Sequence, residues 1–173
     1  MTKMKDIDFK ILSELMKNSK ISDRKLADSI GVSQPTVTRR RARLEKEFLS
    51  EYTVIPNFAK LGIEILVFHL VQWKPTCTHV DTKDFQKRVD EFLLDHPNII
   101  FISSGQGLGM SRIAVSFHKD YSEYVAFMTE FREKWGSHVA KDDSFIVSLD
   151  GDRIPRYLTF KYLADYIKSF HNP

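Results

Sequence analysis

The segment Gly31-Val32-Ser33-Gln34-Pro35-Thr36-Val37-Thr38-Arg39-Arg40-Arg41-Ala42-Arg43 carries the punctuation of one helix ending and another beginning. Gly31 supplies the residue that tolerates positive φ at a helix end. Ser33 is a candidate N-cap, and Pro35 sits in the first turn, where its missing N–H costs nothing. From Gln34 to Phe48 the period is helical, with Val37, Leu44 and Phe48 expected to point inward. Thr36, Thr38, Arg39, Arg40 and Arg43 fall mostly off that stripe.

Working upstream, a helix is expected from Ser22 or Asp23 as cap to Ile30, with Leu26, Ala27 and Ile30 inside. Before it, Asp6 to Asn18 places Ile7, Ile11, Leu12 and Leu15 on one face, and Met4 extends that pattern by a turn. Helix, Gly-containing turn, then an Arg-rich helix is the pattern of a helix-turn-helix. Such a helix enters the DNA major groove with its N-terminal residues at base edges. Ser33, Gln34, Thr36 and Thr38 are therefore expected at the bases, since Gln pairs with adenine and Thr meets a thymine methyl. Arg39, Arg40, Arg43 and Lys46 are expected on phosphate or guanine. Arg41 falls on the inner stripe, so its stem is expected to pack while its head finds a carboxylate or escapes to solvent.

Charge agrees with this division. Residues 1–60 hold 13 basic and 8 acidic side chains, whereas residues 61–173 hold 13 basic and 15 acidic. A basic front half on a mildly acidic back half suggests a polyanion-binding module joined to a carrier. The single cysteine, Cys77, excludes an intrachain disulfide and points to a reducing compartment. The longest apolar run, Ile65 to Val71, is interrupted by His69 and falls far short of the roughly 20 residues a bilayer crossing needs. The first residues lead into a charged helical pattern and not a signal segment. A soluble cytoplasmic protein is expected, with no membrane partner.

Downstream, Ile63 to Trp73 reads as a strand with two apolar faces, Leu66, Phe68 and Leu70 on one, Ile65, Val67, Val71 and Trp73 on the other. Val80 to His96 is helical through Phe85, Val89, Phe92 and Leu93. Ile99 to Ser103 and Arg112 to His118 are strands flanking a Gly-rich turn. Tyr121 to Trp135 is helical and Phe145 to Leu149 is a final strand. The order β-α-β-β-α-β is ferredoxin-like, an antiparallel sheet with both helices on one face. The opposite face is apolar too, and a second copy packing sheet to sheet is the economical cover. After a break at Gly151 to Pro155, Arg156 to Phe170 reads as an aromatic-rich amphipathic helix, docked on the core or on a neighbouring subunit.

These residues together resemble the Lrp/AsnC, or feast/famine, family of prokaryotic transcription regulators over residues 1–149. The matching strings are Asp8-Phe9-Lys10-Ile11-Leu12, Ile21-Ser22-Asp23-Arg24-Lys25-Leu26-Ala27, Gly31 to Arg40, Arg43-Leu44-Glu45, Tyr52 to Asn57, and Leu61-Gly62. Arg41, Phe48 and Ser50 stand where the family usually has an aliphatic, a glycine and an aliphatic. The resemblance implies an α+β chain with this layout: residues 1–51 a winged helix-turn-helix, 52–62 a linker strand and 63–149 a ferredoxin-like assembly and effector domain; residues 150–173, read as a helical extension, exceed the usual family length. It also implies a sequence-specific DNA-binding regulator that works as a homodimer or as a tetramer or octamer. In the family the turn between the second and third strands contributes to an amino-acid effector site between dimers. Gly105, Gln106, Gly107 and Gly109 occupy it here, without the usual acidic residue, since no Asp or Glu lies between Pro97 and Lys119. Backbone N–H groups exposed by those glycines suit an anion; a plain hairpin explains them equally.

The six histidines show no metal-ligand spacing, and Cys77-Thr78-His79 lacks further ligands, so no metal or cofactor is expected. No catalytic motif is found, and no enzyme activity is expected. Two alternatives are a non-specific architectural DNA-binding protein and an enzyme akin to the tetrapyrrole decarboxylases, which resemble this fold.

Overall fold

The computed structural model describes residues 4–77, 82–150 and 154–169. Among these the chain order is α1 (Asp6–Lys17), α2 (Asp23–Ile30), α3 (Gln34–Glu47), β1 (Ile65–Trp73), α4 (Lys83–Asp95), β2 (Ile99–Gly107), β3 (Met110–His118), α5 (Tyr121–Trp135), β4 (Val139–Ser148) and α6 (Lys161–Ser169), with a 3-10 turn at Ala59–Leu61. The chain divides into two units: residues up to 55 with those from 156 onward, and residues 56–155. His79, Val80, the Gly151 end of the expected break, and Phe170 lie outside the described residues.

In the first unit, α1, α2 and α3 close on a core of Ile11, Leu15, Leu26, Ala27, Val37 and Leu44. The Ser22 hydroxyl accepts from the Lys25 N–H at 3.3 Å, capping α2, and Gly31 takes φ 79 at its end. These devices turn the chain into α3 with its apolar stripe inward. Met4 precedes α1 without extending it. Phe48, expected on the inner stripe, is instead the C-cap of α3 and 37% exposed, with the Arg43 guanidinium 5.8 Å from its ring centre. The helix ends at Glu47, so helical spacing no longer governs Phe48, and Leu49 packs against the core in its place. The expected wing and linker strand are not formed: residues 49–57 are irregular, and Val54 and Ile55 stay exposed with no strand partner among the described residues. The extension helix α6 docks on α1, with Ala164 fully buried and Asp165 paired to Lys17 at 2.6 Å. It begins at Lys161, five residues later than expected.

The second unit is a four-stranded antiparallel sheet in the order β2-β3-β1-β4, the ferredoxin-like order, with α4 and α5 on one face. The covered face holds Ile65 and Val67 against Phe85, Phe92, Tyr124, Phe127, Met128 and Trp135. Three strands run longer than their apolar patterns indicated. β2 continues through Gly105 to Gly107, so the expected wide glycine turn is a two-residue hairpin at Leu108 and Gly109, both at positive φ. β3 accordingly starts at Met110. β4 starts at Val139 because an edge strand tolerates the charges of Lys141, Asp142 and Asp143.

The uncovered face carries an apolar row across all four strands. In register it runs Phe101, Val115, Phe68, Phe145. Phe101 is 51% and Phe145 68% exposed. Beside it Phe117 is buried, stacked on Phe58 with ring centres 4.3 Å apart.

Candidate nucleic-acid interface

The N-terminal turn of α3 is held by hydroxyls. Ser33 occupies the N-cap with extended backbone, yet its side chain does not cap a backbone N–H; its hydroxyl shares a 2.8 Å hydrogen bond with that of Thr36. Thr38 donates to Asp23 at 2.7 Å and lies 3.1 Å from the Gln34 carbonyl oxygen, tying α3 to the start of α2. Gln34 is exposed. Of the residues expected at base edges, the hydroxyls thus bond to one another or to Asp23 and the Gln34 carbonyl, while the Gln34 amide has no hydrogen-bond partner among the described residues.

The basic side chains of α3 divide into three kinds. Arg39 and Lys46 are exposed and make no ion pair among the described residues. Arg41 turns inward as expected and its head meets Asp23 at 3.1 Å, Glu45 at 3.0 Å and the Ile21 carbonyl oxygen at 2.9 Å. Arg40 and Arg43 do something the sequence did not announce. Both reach Asp8 on α1, at 2.8 Å and 3.3 Å, and the Asp8 side chain is completely buried. Burial works to raise the Asp8 pKa, but the Lys5 N–H at 2.8 Å and the two guanidiniums hold it below the usual carboxylate value. One buried carboxylate therefore neutralises part of two cations and fixes where both heads stand. Among the described residues neither Nε has a hydrogen-bond acceptor, although that of Arg43 lies 3.7 Å from a Glu47 carboxylate oxygen. The signal available in the sequence was Asp8 itself, a carboxylate three and four residues before Ile11 and Leu12 on the apolar stripe.

In the second unit, Gly105, Gln106, Gly107 and Gly109 gather at the β2–β3 hairpin, all exposed. No Cβ added at these glycines meets another atom within 4 Å, so close packing does not require them, whereas the hairpin requires Gly109 at φ 72. Among the described residues no group of three His, Cys, Asp or Glu side chains is placed to hold a metal, and no helix is long and apolar enough to cross a membrane.

A capped second helix, a tight glycine turn and an outward basic third helix define a helix-turn-helix DNA-binding protein. Residues 4–45 match the AsnC-type helix-turn-helix domain. The Bkd operon transcriptional regulator of Pseudomonas aeruginosa is 32% identical over 132 residues, which cover 75% of this chain and 81% of that protein. The crystal structure of an AsnC family transcriptional regulator from Agrobacterium tumefaciens superposes with TM-score 0.72 at 19% identity, covering 92% of this chain and 99% of that one. A Neisseria meningitidis transcriptional regulator in complex with L-methionine does so with TM-score 0.72 at 17% identity, over 93% and 99%. The chain belongs to the Lrp/AsnC family of DNA-binding transcriptional regulators.

Proposed function

We propose that this regulator reads duplex DNA as a homodimer, inserting α3 of each subunit into successive major grooves. Gln34 and the Ser33, Thr36 and Thr38 hydroxyls face base edges, while Arg39, Arg40, Arg43 and Lys46 engage phosphates or guanine. The observation that carries this is the division of the α3 cations: Arg39 and Lys46 are unpaired among the described residues, and Arg40 and Arg43 are pre-positioned by Asp8. Side chains held in place before binding lose less freedom on binding. Paired helices roughly 34 Å apart match half-sites one duplex turn apart. The exposed row from Phe101 to Phe145 is the surface through which a second copy pairs, giving the dimer a dry interface core. Residues 1–51 serve as the DNA-binding part and 63–149 as the assembly part, with 52–62 between them.

A small-molecule effector at Gly105, Gln106, Gly107 and Gly109 is part of the same proposal, supported by the exposed backbone there and by the L-methionine complex of the Neisseria relative. Without an acidic residue on the hairpin, the contact offered is to an anionic group. Selection of bound duplexes from a random pool tests the central reading. A recovered pseudo-palindromic consensus, lost on Arg39→Glu, is expected; recovery without preference favours the architectural alternative. Against the tetrapyrrole decarboxylase alternative, the apolar cavity lined by described residues of the sheet domain, about 70 Å³, is far too small for a macrocycle.

A further inference from the structure

The outward side of α3 is defined by its buried one. Val37 and Leu44 are fully buried, and at about 100° per residue the opposite side of the helix falls at Pro35, Arg39, Ala42 and Lys46. All four are exposed. Both flanks of that side are fixed by carboxylates. On the α1 flank Asp8 holds Arg40 at 2.8 Å and Arg43 at 3.3 Å. On the α2 flank Asp23 holds Arg41 at 3.1 Å and the Thr38 hydroxyl at 2.7 Å.

Between the flanks runs a strip poor in hydrogen-bonding groups. Pro35, Thr38 and Ala42 stand at i, i+3 and i+7, a spacing that places them on one side of the helix. Proline and alanine carry no polar side-chain atom. The Thr38 hydroxyl has one proton, engaged by the Asp23 carboxylate, and its oxygen also lies 3.1 Å from the Gln34 carbonyl oxygen. Thr38 therefore has no proton to give to a base, and the remaining arm of its exposed side chain is the Cγ2 methyl. Arg39 and Lys46, unpaired among the described residues, stand beside the strip. An apolar strip bordered by such cations suits the groove of a polyanion; against an apolar protein surface the same cations would be desolvated without partners.

We infer that Thr38 and Ala42 read thymine by its C5 methyl group, with Ala42 setting how closely α3 approaches the base edges. This rests on the reading of α3 as the DNA-contacting helix and supplies the base chemistry at its centre. The thymine methyl is the apolar feature of the major-groove edge, and the methyls of alanine and threonine match it. Ala42 is the smallest side chain on the outward side of α3. A longer one there would hold the helix away from the bases while Arg39 and Lys46 still reached phosphate.

The test takes the full chain and the consensus selected from a random pool, and replaces each thymine of the half-site by uracil, which pairs identically and lacks only the methyl. At one position the parent is expected to lose about fourfold in affinity per methyl removed, and about tenfold or more with both half-sites changed. Thr38→Val keeps the methyl and discards the hydroxyl, and should retain the preference for thymine. Thr38→Ser keeps the hydroxyl and discards the methyl, and should cut the preference at each site to about twofold. Ala42→Leu, at an exposed helical position where leucine is nearly as favourable as alanine, should leave the melt unchanged. It should weaken consensus binding by about tenfold or more while binding to unrelated duplex keeps its affinity and salt slope. A pool that yields no consensus overturns the reading of α3 and this inference with it. A consensus without thymine, or one whose thymines all tolerate uracil without loss, overturns this inference alone. So does a thymine preference that survives in Thr38→Ser and vanishes in Thr38→Val, or an Ala42→Leu variant that binds the consensus as the parent does.

Discussion

Arg40 on α3 and Asp8 on α1 are 32 residues apart in sequence and 2.8 Å apart in space, with the carboxylate fully buried between the helices. Arg43 shares the same carboxylate at 3.3 Å. Asp8 thus joins the core of the helix-turn-helix to the cationic face of α3. Asp8→Asn keeps shape and removes charge, leaving two partly buried guanidiniums with a weaker acceptor. A loss of about 2 kcal/mol is expected, discounted from the value for a fully buried pair because both arginines are partly solvated. Urea denaturation measures it, and duplex affinity of the folded variant should fall several-fold as the arginine heads lose their fixed positions. Unchanged stability and affinity would show that the pair does neither job.

Among the described residues Arg39 and Lys46 hold no partner to release, so their charge is available to phosphate. Each phosphate contact contributes about 0.9 to the slope of log affinity against log salt. Arg39→Gln in both subunits should therefore make the slope shallower by roughly 2, and the same holds for Lys46→Gln. If all four basic residues act in both subunits, the parent slope is roughly −7. Filter binding or anisotropy across a salt series reads both numbers; a parent slope shallower than about −2 contradicts the phosphate role.

Most elements were legible because local chemistry spelled them out: Ser22 and Gly31 bound α2, Pro35 starts α3, and the double apolar alternation of Leu66 to Val71 makes β1 a central strand. What stayed hidden depends on partners distant in sequence. Asp8 acquires its role from residues 32 and 35 positions away. The first half of β4 reads as polar coil because Lys141 to Asp143 interrupt the pattern, and only pairing with β1 makes it a strand. Gly105 and Gly107 resemble turn residues until the ladder to β3 is seen. Phe48 was misplaced by carrying a helical period one residue past the helix end.

His69 and His118 share the Ser116 hydroxyl at 2.9 Å and 2.8 Å inside the ferredoxin-like core. Burial, helped by the neighbouring His118, pushes His69 down to about 4, and burial lowers His118 as well. Above pH 6.5, the ordinary histidine value, His69 is neutral in both folded and unfolded chains, and its contribution is complete. Below that, the unfolded chain takes up a proton that the folded chain refuses. Stability should fall as pH drops from 6.5 to about 4, by up to 1.4 kcal/mol per pH unit and about 3 kcal/mol in all, then level off for this group. His69→Gln, which retains hydrogen-bonding capacity, should flatten the decline in a series of urea midpoints at fixed pH values. A decline equally steep in the variant would assign it to other groups.

Phe145 tests the assembly face with little effect on the subunit itself. It ends the row Phe101, Val115, Phe68, Phe145 and is 68% exposed, so Phe145→Asp removes little buried area from a lone subunit and should shift its folding stability by less than about 0.5 kcal/mol. In a sheet-to-sheet dimer the same change places a carboxylate in an apolar interface, where an unpaired charge costs several kcal/mol. Sedimentation should show the variant dissociating to half its parent mass at micromolar concentration while its melt stays cooperative. Its DNA salt slope should then fall to about half the parent value, because each duplex is met by one α3 and not two. Retention of the parent mass would place the subunit contact elsewhere, with the exposed Val54 and Ile55 of the first unit as the next surface to substitute.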